Sequence, residues 1–316
     1  MKILFTSVGR RVELMQVFHN AAKKLNIELQ IYGADITESA PALFFCDEKL
    51  IVPRINDSQY LPVLLSICKN NQIDALIPTI DTDLLLLANH TDDFEKVGTK
   101  VFISNPDSVL LCRDKNFTSD FFVECGLSAP KTCNNYKQYA GSFPCFIKPK
   151  DGSSSIDAYI INNHEELIEF AHRVSDYVIQ PFIDGEEYTV DIFCDFDSQP
   201  IFITPRKRLA VRAGEVLKSQ ITNDETIINE CKQIIDKFKP IGAITVQLIK
   251  DKTTNINQYI EINPRFGGGA PLSIMAGADS AEATLRILNG ESMSFFYCAA
   301  DVGAVYSRYD QSVRVK

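Results

Sequence analysis

Through the first third of the chain, short apolar runs alternate with stretches whose apolar positions return every three to four residues. Residues 3–7 form such a run, broken by Gly9 before a helical pattern over 12–25. The runs at 29–34, 50–52, 75–78 and 101–104 repeat the strand signature, with helices expected near 60–70 and over 82–89. Short buried strands separated by helices predict βαβ units and a parallel sheet. Ligands of such a sheet gather beyond the carboxyl ends of the strands, an edge that here carries Ser7, Gly9, Asp35, Thr79, Asp81 and Asp83.

From about Asp107 the pattern changes. A helix over 116–125 leads to strands at 145–149, 158–161 and 177–180, with a Gly/Ser loop after the first and a helix over 165–174 before the last. This reads as a small α+β unit. After Gly185 the strands lengthen, at 188–194, 201–204, 243–250 and 257–262, interrupted by a helix over 224–238. No internal repeat, low-complexity linker or long charge run separates the units, so close packing between them is expected.

A length of 316 residues asks for two or three domains rather than one core. The formal net charge of -9 argues against a general nucleic-acid binder, yet it leaves room for a local cationic pocket. No stretch approaches the roughly 18 uncharged apolar residues of a membrane span. The opening Met1-Lys2-Ile3-Leu4-Phe5-Thr6 is too short for a signal-peptide core and reads as a strand, so a cytoplasmic location is expected. The nine cysteines are scattered, contain no CxxC pair and lie at ligand spacing from none of the four histidines. Reduced structural thiols are expected, rather than zinc or a Cys–His nucleophile.

Three segments carry candidate chemistry. In Gln258-Tyr-Ile-Glu261-Ile-Asn263-Pro264-Arg265-Phe-Gly267-Gly268-Gly269, strand alternation turns Glu261 and Asn263 the same way. A carboxylate and an amide oxygen on one face suit a hard cation such as Mg²⁺, and Arg265 after the strand-ending proline suits phosphate. The glycines leave backbone amides open to an oxyanion. A neighbouring strand around Gln247 would bring that side chain beside Glu261. The plainer alternative is an edge strand with a solvated glutamate and a Gly-rich turn. In Phe146-Ile-Lys148-Pro-Lys150-Asp-Gly152-Ser153-Ser154-Ser155, a lysine ending a buried strand beside a Gly/Ser loop suits nucleotide phosphates, although the order is not that of a P-loop. The third segment, Gln180-Pro181-Phe182-Ile183-Asp184-Gly185-Glu186-Glu187, has a bend whose backbone could read a base edge, apolar walls and an acid for ribose hydroxyls. A Gly/Ser turn and a surface-acid hinge remain alternatives for these two. Arg206, Lys207, Arg208 and Arg212 form a basic patch at the ligand edge, with Arg212 and Arg208 suited to an acyl phosphate or acid substrate, or else an exposed hairpin. Arg10 and Arg11 are either helix-start charges or ligand contacts. Asp81 and Asp83 are expected to cap the following helix, with positioning of an amine as the sharper alternative.

The order of the three segments resembles the ATP-grasp superfamily over roughly residues 107–290, preceded by a domain like its usual N-terminal one. The opening Phe5-Thr-Ser-Val-Gly-Arg-Arg-Val-Glu-Leu and the stretch Ile77-Pro-Thr-Ile-Asp-Thr-Asp-Leu look like the carbamoyl-phosphate synthase large-subunit-like branch, including relatives of the pyrrolysine-pathway ligase. The resemblance implies an α/β fold class: a Rossmann-like N-terminal (pre-ATP-grasp) domain over 1–106, followed by two α+β ATP-grasp subdomains. These are a lid over 107–183 and a C-terminal subdomain over 184–316 carrying the metal site. It implies that Lys115 and Lys148 contact phosphates together with Ser153 and Ser154, that Gln180, Pro181, Phe182 and Ile183 hold adenine, and that Glu187 holds ribose. Gln247, Glu261 and Asn263 would surround Mg²⁺, with Glu261 bridging two ions and Mn²⁺ an acceptable substitute. Arg265, Arg212 and Lys148 are the expected catalytic residues. Gln247 stands where many members carry an acid, which the carbamoyl-phosphate-synthase-like branch accepts, and the loop over 150–155 lacks the double glycine of many members.

The expected chemistry is attack of a substrate carboxylate on the γ-phosphate of ATP, then displacement of phosphate from the acyl phosphate by an amine or other nucleophile. Such phosphoryl transfer asks for positioning and charge neutralisation more than for a nucleophilic side chain. A small-molecule phosphotransferase and a nucleotide-binding regulator without turnover are the rival classes. A dehydrogenase is disfavoured because Ser7-Val-Gly9-Arg10 lacks a full GxGxxG. Partners are expected to be small carboxylates and amines, without nucleic acid or membrane, in a family-typical homodimer.

Overall fold

In the computed structural model, which describes residues 1–151, 157–212 and 214–315, the strand–helix alternation of the first third folds into a five-stranded sheet. Its elements are β1 (Lys2–Thr6), α1 (Val12–Leu25), β2 (Gln30–Asp35), β3 (Glu48–Ile51), α2 (Tyr60–Asn71), β4 (Ala75–Pro78), α3 (Asp81–Ala88), α4 (Thr91–Lys96) and β5 (Lys100–Val101). The strand order is β3-β2-β1-β4-β5 and every pairing is parallel. The order reverses at β1, which opens a crevice between the carboxyl ends of β1 and β4. The strand α1 follows is buried on both faces. The helix itself turns Leu14, Met15, Val17, Phe18, Ala21 and Ala22 inward and ends at Asn26, whose φ of 55° gives the left-handed stop.

Next come α5 (Pro106–Arg113) and α6 (Lys115–Glu124). The Asn105 side chain caps α5 by accepting from the Ser108 amide at 2.9 Å, and Asp114 ends that helix and caps α6. Only the second helix was expected from the sequence. Then β6 (Cys145–Pro149), β7 (Tyr159–Ile161), α7 (His164–Arg173) and β8 (Tyr177–Pro181) make a three-stranded antiparallel sheet, order β7-β6-β8. Its core is small: Cys145, Ile147, Ile161, Leu167 and Ile179.

The remainder is β9 (Gly185–Cys194), β10 (Pro200–Arg212), β11 (Glu215–Ile221), α8 (Glu225–Phe238), β12 (Gly242–Asp251), β13 (Asn257–Asn263), α9 (Ala270–Met275), α10 (Ser280–Leu288) and β14 (Val305–Ser307). The strands form an antiparallel sheet in the order β13-β12-β9-β10-β11-β14. α6 and α8 cover one face, with Phe122, Ile228, Ile234 and Phe238 against Val190, Val246 and Leu248. On the other, Phe193, Phe266, Ala281 and Leu285 join Phe5 and Phe18 of the first sheet unit in one continuous core. The rings of Phe18 and Phe266 meet edge to face with centroids 5.9 Å apart.

The expected strand over 201–204 proves to be the start of a thirteen-residue one, and its partner β11 was not foreseen. All nine cysteines are free thiols. Among the described residues no helix is long and apolar enough to cross a membrane.

Candidate active site

The neighbouring strands β12 and β13 form the floor of the site. Their register sets Gln247 opposite Glu261 and Thr245 opposite Asn263, while Val246 and Ile262 turn into the core. Strand alternation thus delivers the face expected from the sequence, with Gln247, Glu261 and Asn263 lining one cavity of about 480 Å³. That cavity also takes in Lys115, Lys148, the Gln180–Ile183 bend, Glu187, Arg208 and Arg265. Three parts of the chain, far apart in sequence, therefore meet there.

Arg208, on β10, ties the floor to the wall. Its Nη1 donates to Gln247 Oε1 at 3.2 Å, its Nη2 to the Gly214 carbonyl at 2.8 Å, and its Nε lies 3.6 Å from Glu187 Oε2. Burial, with Arg206 nearby, holds this guanidinium below its usual range against the opposing pull of Glu187. Arg265 is fixed more firmly. Its Nε and Nη2 make a two-pronged pair with Asp81 at 2.9 and 2.7 Å, and Nη2 also donates to Asn263 Oδ1 at 3.2 Å. The expectation that Asp81 caps α3 is corrected: Ile80 holds the cap position without a side-chain bond, and Asp81 orients Arg265 across the two sheet units. Asp83 is buried, accepts from Ser7 Oγ at 2.6 Å and from the Tyr60 hydroxyl at 3.1 Å, and is pushed upward by burial. It serves as an internal tie.

Two lysines face Glu261. Lys115 starts α6 and donates from Nζ to the Lys150 carbonyl at 3.3 Å, and burial lowers its ammonium from the ordinary range. Lys148 ends β6; burial first, and the Lys115 charge second, push it down to about 8, with Glu261 opposing. Gln180 is buried with its amide 3.5 Å from the Pro130 carbonyl. Phe182 stacks on Phe146, ring planes 8° apart, and its amide donates to Pro144. Ser153 and Ser154 lie outside the described residues.

Arg212 is not brought to the cavity. Its Nη2 donates to both oxygens of Asp310 at 2.9 Å in an exposed pair that Arg10 approaches at 3.7 Å. The reason is local: pairing of β10 with β11 shifts register on both sides of Ala210, so strand alternation is re-phased and Val211 lines the cavity instead. Conversely, Arg11, Arg308, Glu215 and Arg206 line it. Arg206 is almost fully buried, donating to Asp191 at 2.7 Å and to Ser273 and Ser219. The pattern of a charged run conceals such a residue, because only the partner strand supplies Asp191.

Gly267 and Gly269 are demanded by packing. A Cβ on Gly267 would stand 2.7 Å from Thr245 Oγ1, and one on Gly269 would stand 2.7 Å from Val216 Cγ1 and 2.9 Å from Arg206 Nη2. The donor set of one carboxylate and two amide oxygens fits a hard, oxygen-seeking cation. The Glu261 carboxylate takes no hydrogen bond or ion pair from any described residue, which leaves it open to a ligand. Among the described residues no group of three or more His, Cys, Asp or Glu side chains is gathered for a softer metal.

A parallel-sheet unit, a small antiparallel sheet and a large one that share a cleft rimmed by lysines, arginines and hard oxygen donors define a nucleotide-clamp class of protein. Residues 3–102 match the PylC-like N-terminal domain and residues 112–269 the ATP-grasp domain. The latter takes in half of the chain, and the chain belongs to the ATP-grasp family. It is similar to D-alanine–D-alanine ligase of Bacillus anthracis, 28% identical over 52% of this chain and 59% of that enzyme; it thus spans less than two thirds of that enzyme's length. Among solved structures, the biotin carboxylase domain of the Hydrogenobacter thermophilus 2-oxoglutarate carboxylase superposes with a TM-score of 0.75 at 16% identity, over 96% of this chain and 73% of that one. N5-carboxyaminoimidazole synthetase from Staphylococcus aureus, in complex with ADP, gives 0.74 at 17%, over 93% and 78%. L-amino acid ligase from Bacillus licheniformis gives 0.69 at 17%, over 87% and 70%.

Proposed function

We propose that the chain is an ATP- and Mg²⁺-dependent ligase that joins a small carboxylic acid to an amine through an acyl phosphate. The observation that carries this reading is Glu261: a carboxylate facing Gln247 across the strand pair, without a partner among the described residues, in a cavity it shares with Lys115, Lys148, Arg208 and Arg265. Family membership and relatives that are themselves named ligases support it.

In this reading Lys115 and Lys148 hold the nucleotide phosphates, and Gln180, Pro181, Phe182 and Ile183 receive the base. Glu187 takes the ribose, and Arg208 fixes its position by charge. Gln247, Glu261 and Asn263 would hold Mg²⁺, which, when bound, neutralises charge on the phosphates. An oxygen of the substrate carboxylate bonds to the γ-phosphorus as the bond from that phosphorus to ADP breaks. Arg265, held in orientation by Asp81, faces the charge on the transferring group. The amine nitrogen then bonds to the acyl carbon, the carbon–oxygen bond to phosphate breaks, and the nitrogen loses its proton to solvent. The division into a lid over 107–183 and a metal-bearing subdomain over 184–316 belongs to the same proposal, as do action on small molecules without nucleic acid or membrane and the homodimer.

The test is ADP release over pairs of acids and amines with Mg²⁺. Release that requires both partners and yields an amide supports a ligase. A stable phosphorylated acid or alcohol would instead make the protein a phosphotransferase.

A further inference from the structure

Nothing in the sequence separates Arg10 from Arg11, yet the structure does. Arg10 is exposed near Asp310, whereas Arg11, immediately before α1, lines the same cavity as Glu261. Its neighbours are satisfied: Arg265 by Asp81, and Arg308 by Glu13 at 3.1 Å and Glu215 at 3.5 Å. Arg11 itself donates from Nη2 to the Thr79 carbonyl at 3.3 Å and, among the described residues, has no carboxylate at ion-pair distance. Its Nη1 reaches over Gly268: a Cβ there would stand 2.9 Å from that nitrogen and meet nothing else within 4 Å. Burial, and then the nearby Arg265, push the Arg11 guanidinium down to about 10. A half-buried guanidinium beside a like charge, with donors that no described residue engages, is in a state that an anion relieves.

We propose that Arg11 is the specificity contact for the acid substrate, its guanidinium binding a carboxylate of that substrate above Gly268. The inference rests on the ligase reading and names its ligand class, a small organic carboxylate. The position favours this ligand over nucleotide phosphate. Arg11 enters from the crevice between β1 and β4, where a parallel sheet receives small ligands, while both phosphate-facing lysines come from α6 and β6. The planar fork of arginine matches a carboxylate in two-pronged fashion. Arg11 and its neighbours Thr79, Gly268 and Glu215 are therefore a substrate wall.

The protein is loaded with Mg²⁺ and the non-hydrolysable analogue AMP-PNP, and binding of the D- and L-amino acids, succinate and glutarate is followed by calorimetry. Wild type is compared with Arg11→Met, Arg11→Lys and Gly268→Ala. A panel carboxylate should bind wild type, and Arg11→Met should weaken it about tenfold to a hundredfold, the loss of a charge-assisted contact. Arg11→Lys should weaken it less. Gly268→Ala, which keeps the arginine but crowds its fork, should weaken it as well. AMP-PNP affinity should stay within about twofold throughout, against the tenfold that 1.4 kcal/mol produces. Three results would overturn the proposal: unchanged carboxylate affinity in Arg11→Met, AMP-PNP affinity falling in step with it, or no panel member binding wild type. Failure of the ligase reading looks different: a carboxylate binds through Arg11, but when ATP replaces AMP-PNP no amine elicits ADP.

Discussion

Lys148 stands beside Lys115, and burial together with that second ammonium pushes it down to about 8 from the ordinary 10.5. Between those two values an unfolded chain holds the proton that the folded one has released. The stability contribution of this group therefore rises with pH across the window, and below 8 the buried ammonium is a standing cost. Lys148→Met should accordingly raise the melting temperature of the empty protein at neutral pH while weakening nucleotide binding, a combination that thermal unfolding and calorimetry read separately. An anionic nucleotide pulls the proton back, so binding to wild type near pH 9 should take up a proton, seen as a dependence of the heat on buffer ionisation, and Lys148→Met should abolish it. At this scale the shared face of Glu261 and Asn263 was legible because strand alternation alone aims the two side chains together. Arg10 and Arg11 were not separable, because which of two adjacent side chains enters the crevice is decided by the turn at Gly9, with φ of 46°, and by what the second sheet places opposite.

The regular elements divide by how far their burial depends on distant partners. α1 was legible to its ends because its apolar face and its stop at Asn26 are written locally. β10 and β11 were not, since Pro205-Arg206-Lys207-Arg208 interrupts the apolar pattern and reads as solvated charge. Arg206 is nevertheless core, at 1% exposure of its side chain, because Asp191 on β9 and Ser273 on α9 satisfy it. Arg212 lies outside the cavity lining for a related reason: bulges around Ala210 break the alternation that would have turned it inward. Removing one member of such a buried pair strands the other, so Arg206→Ala should destabilise the protein by about 3–5 kcal/mol in urea unfolding. A combined Arg206→Leu, Asp191→Leu protein should lose less than Arg206→Ala. A greater loss in the combined protein would mean that the pair itself, rather than the isolated charge, sets the stability.

Across the whole molecule the cores are unequal. The first sheet unit and one face of the large sheet share a single apolar core from Phe5 and Phe18 to Phe266 and Leu285, whereas the small sheet rests on Cys145, Ile147, Ile161, Leu167 and Ile179. Buried apolar area is the main source of cohesion, so amides of β6, β7 and β8 should exchange hydrogen faster than those of β1, β9 or β12. AMP-PNP with Mg²⁺ should slow the small sheet most, because it supplies Lys148 and the Gln180–Ile183 bend. Uniform exchange across the three sheets would contradict this division. The parallel-sheet unit and the ATP-grasp order were legible from periodicity and from motif order; the shared core was not, since no local pattern records which helix covers which sheet. The most direct test of the account is titration of AMP-PNP into wild type and Glu261→Gln, each with and without Mg²⁺. The account predicts that Mg²⁺ strengthens binding to wild type about tenfold or more, and that Glu261→Gln keeps its melting temperature but loses that gain. Equal binding by the two proteins in Mg²⁺ would contradict it.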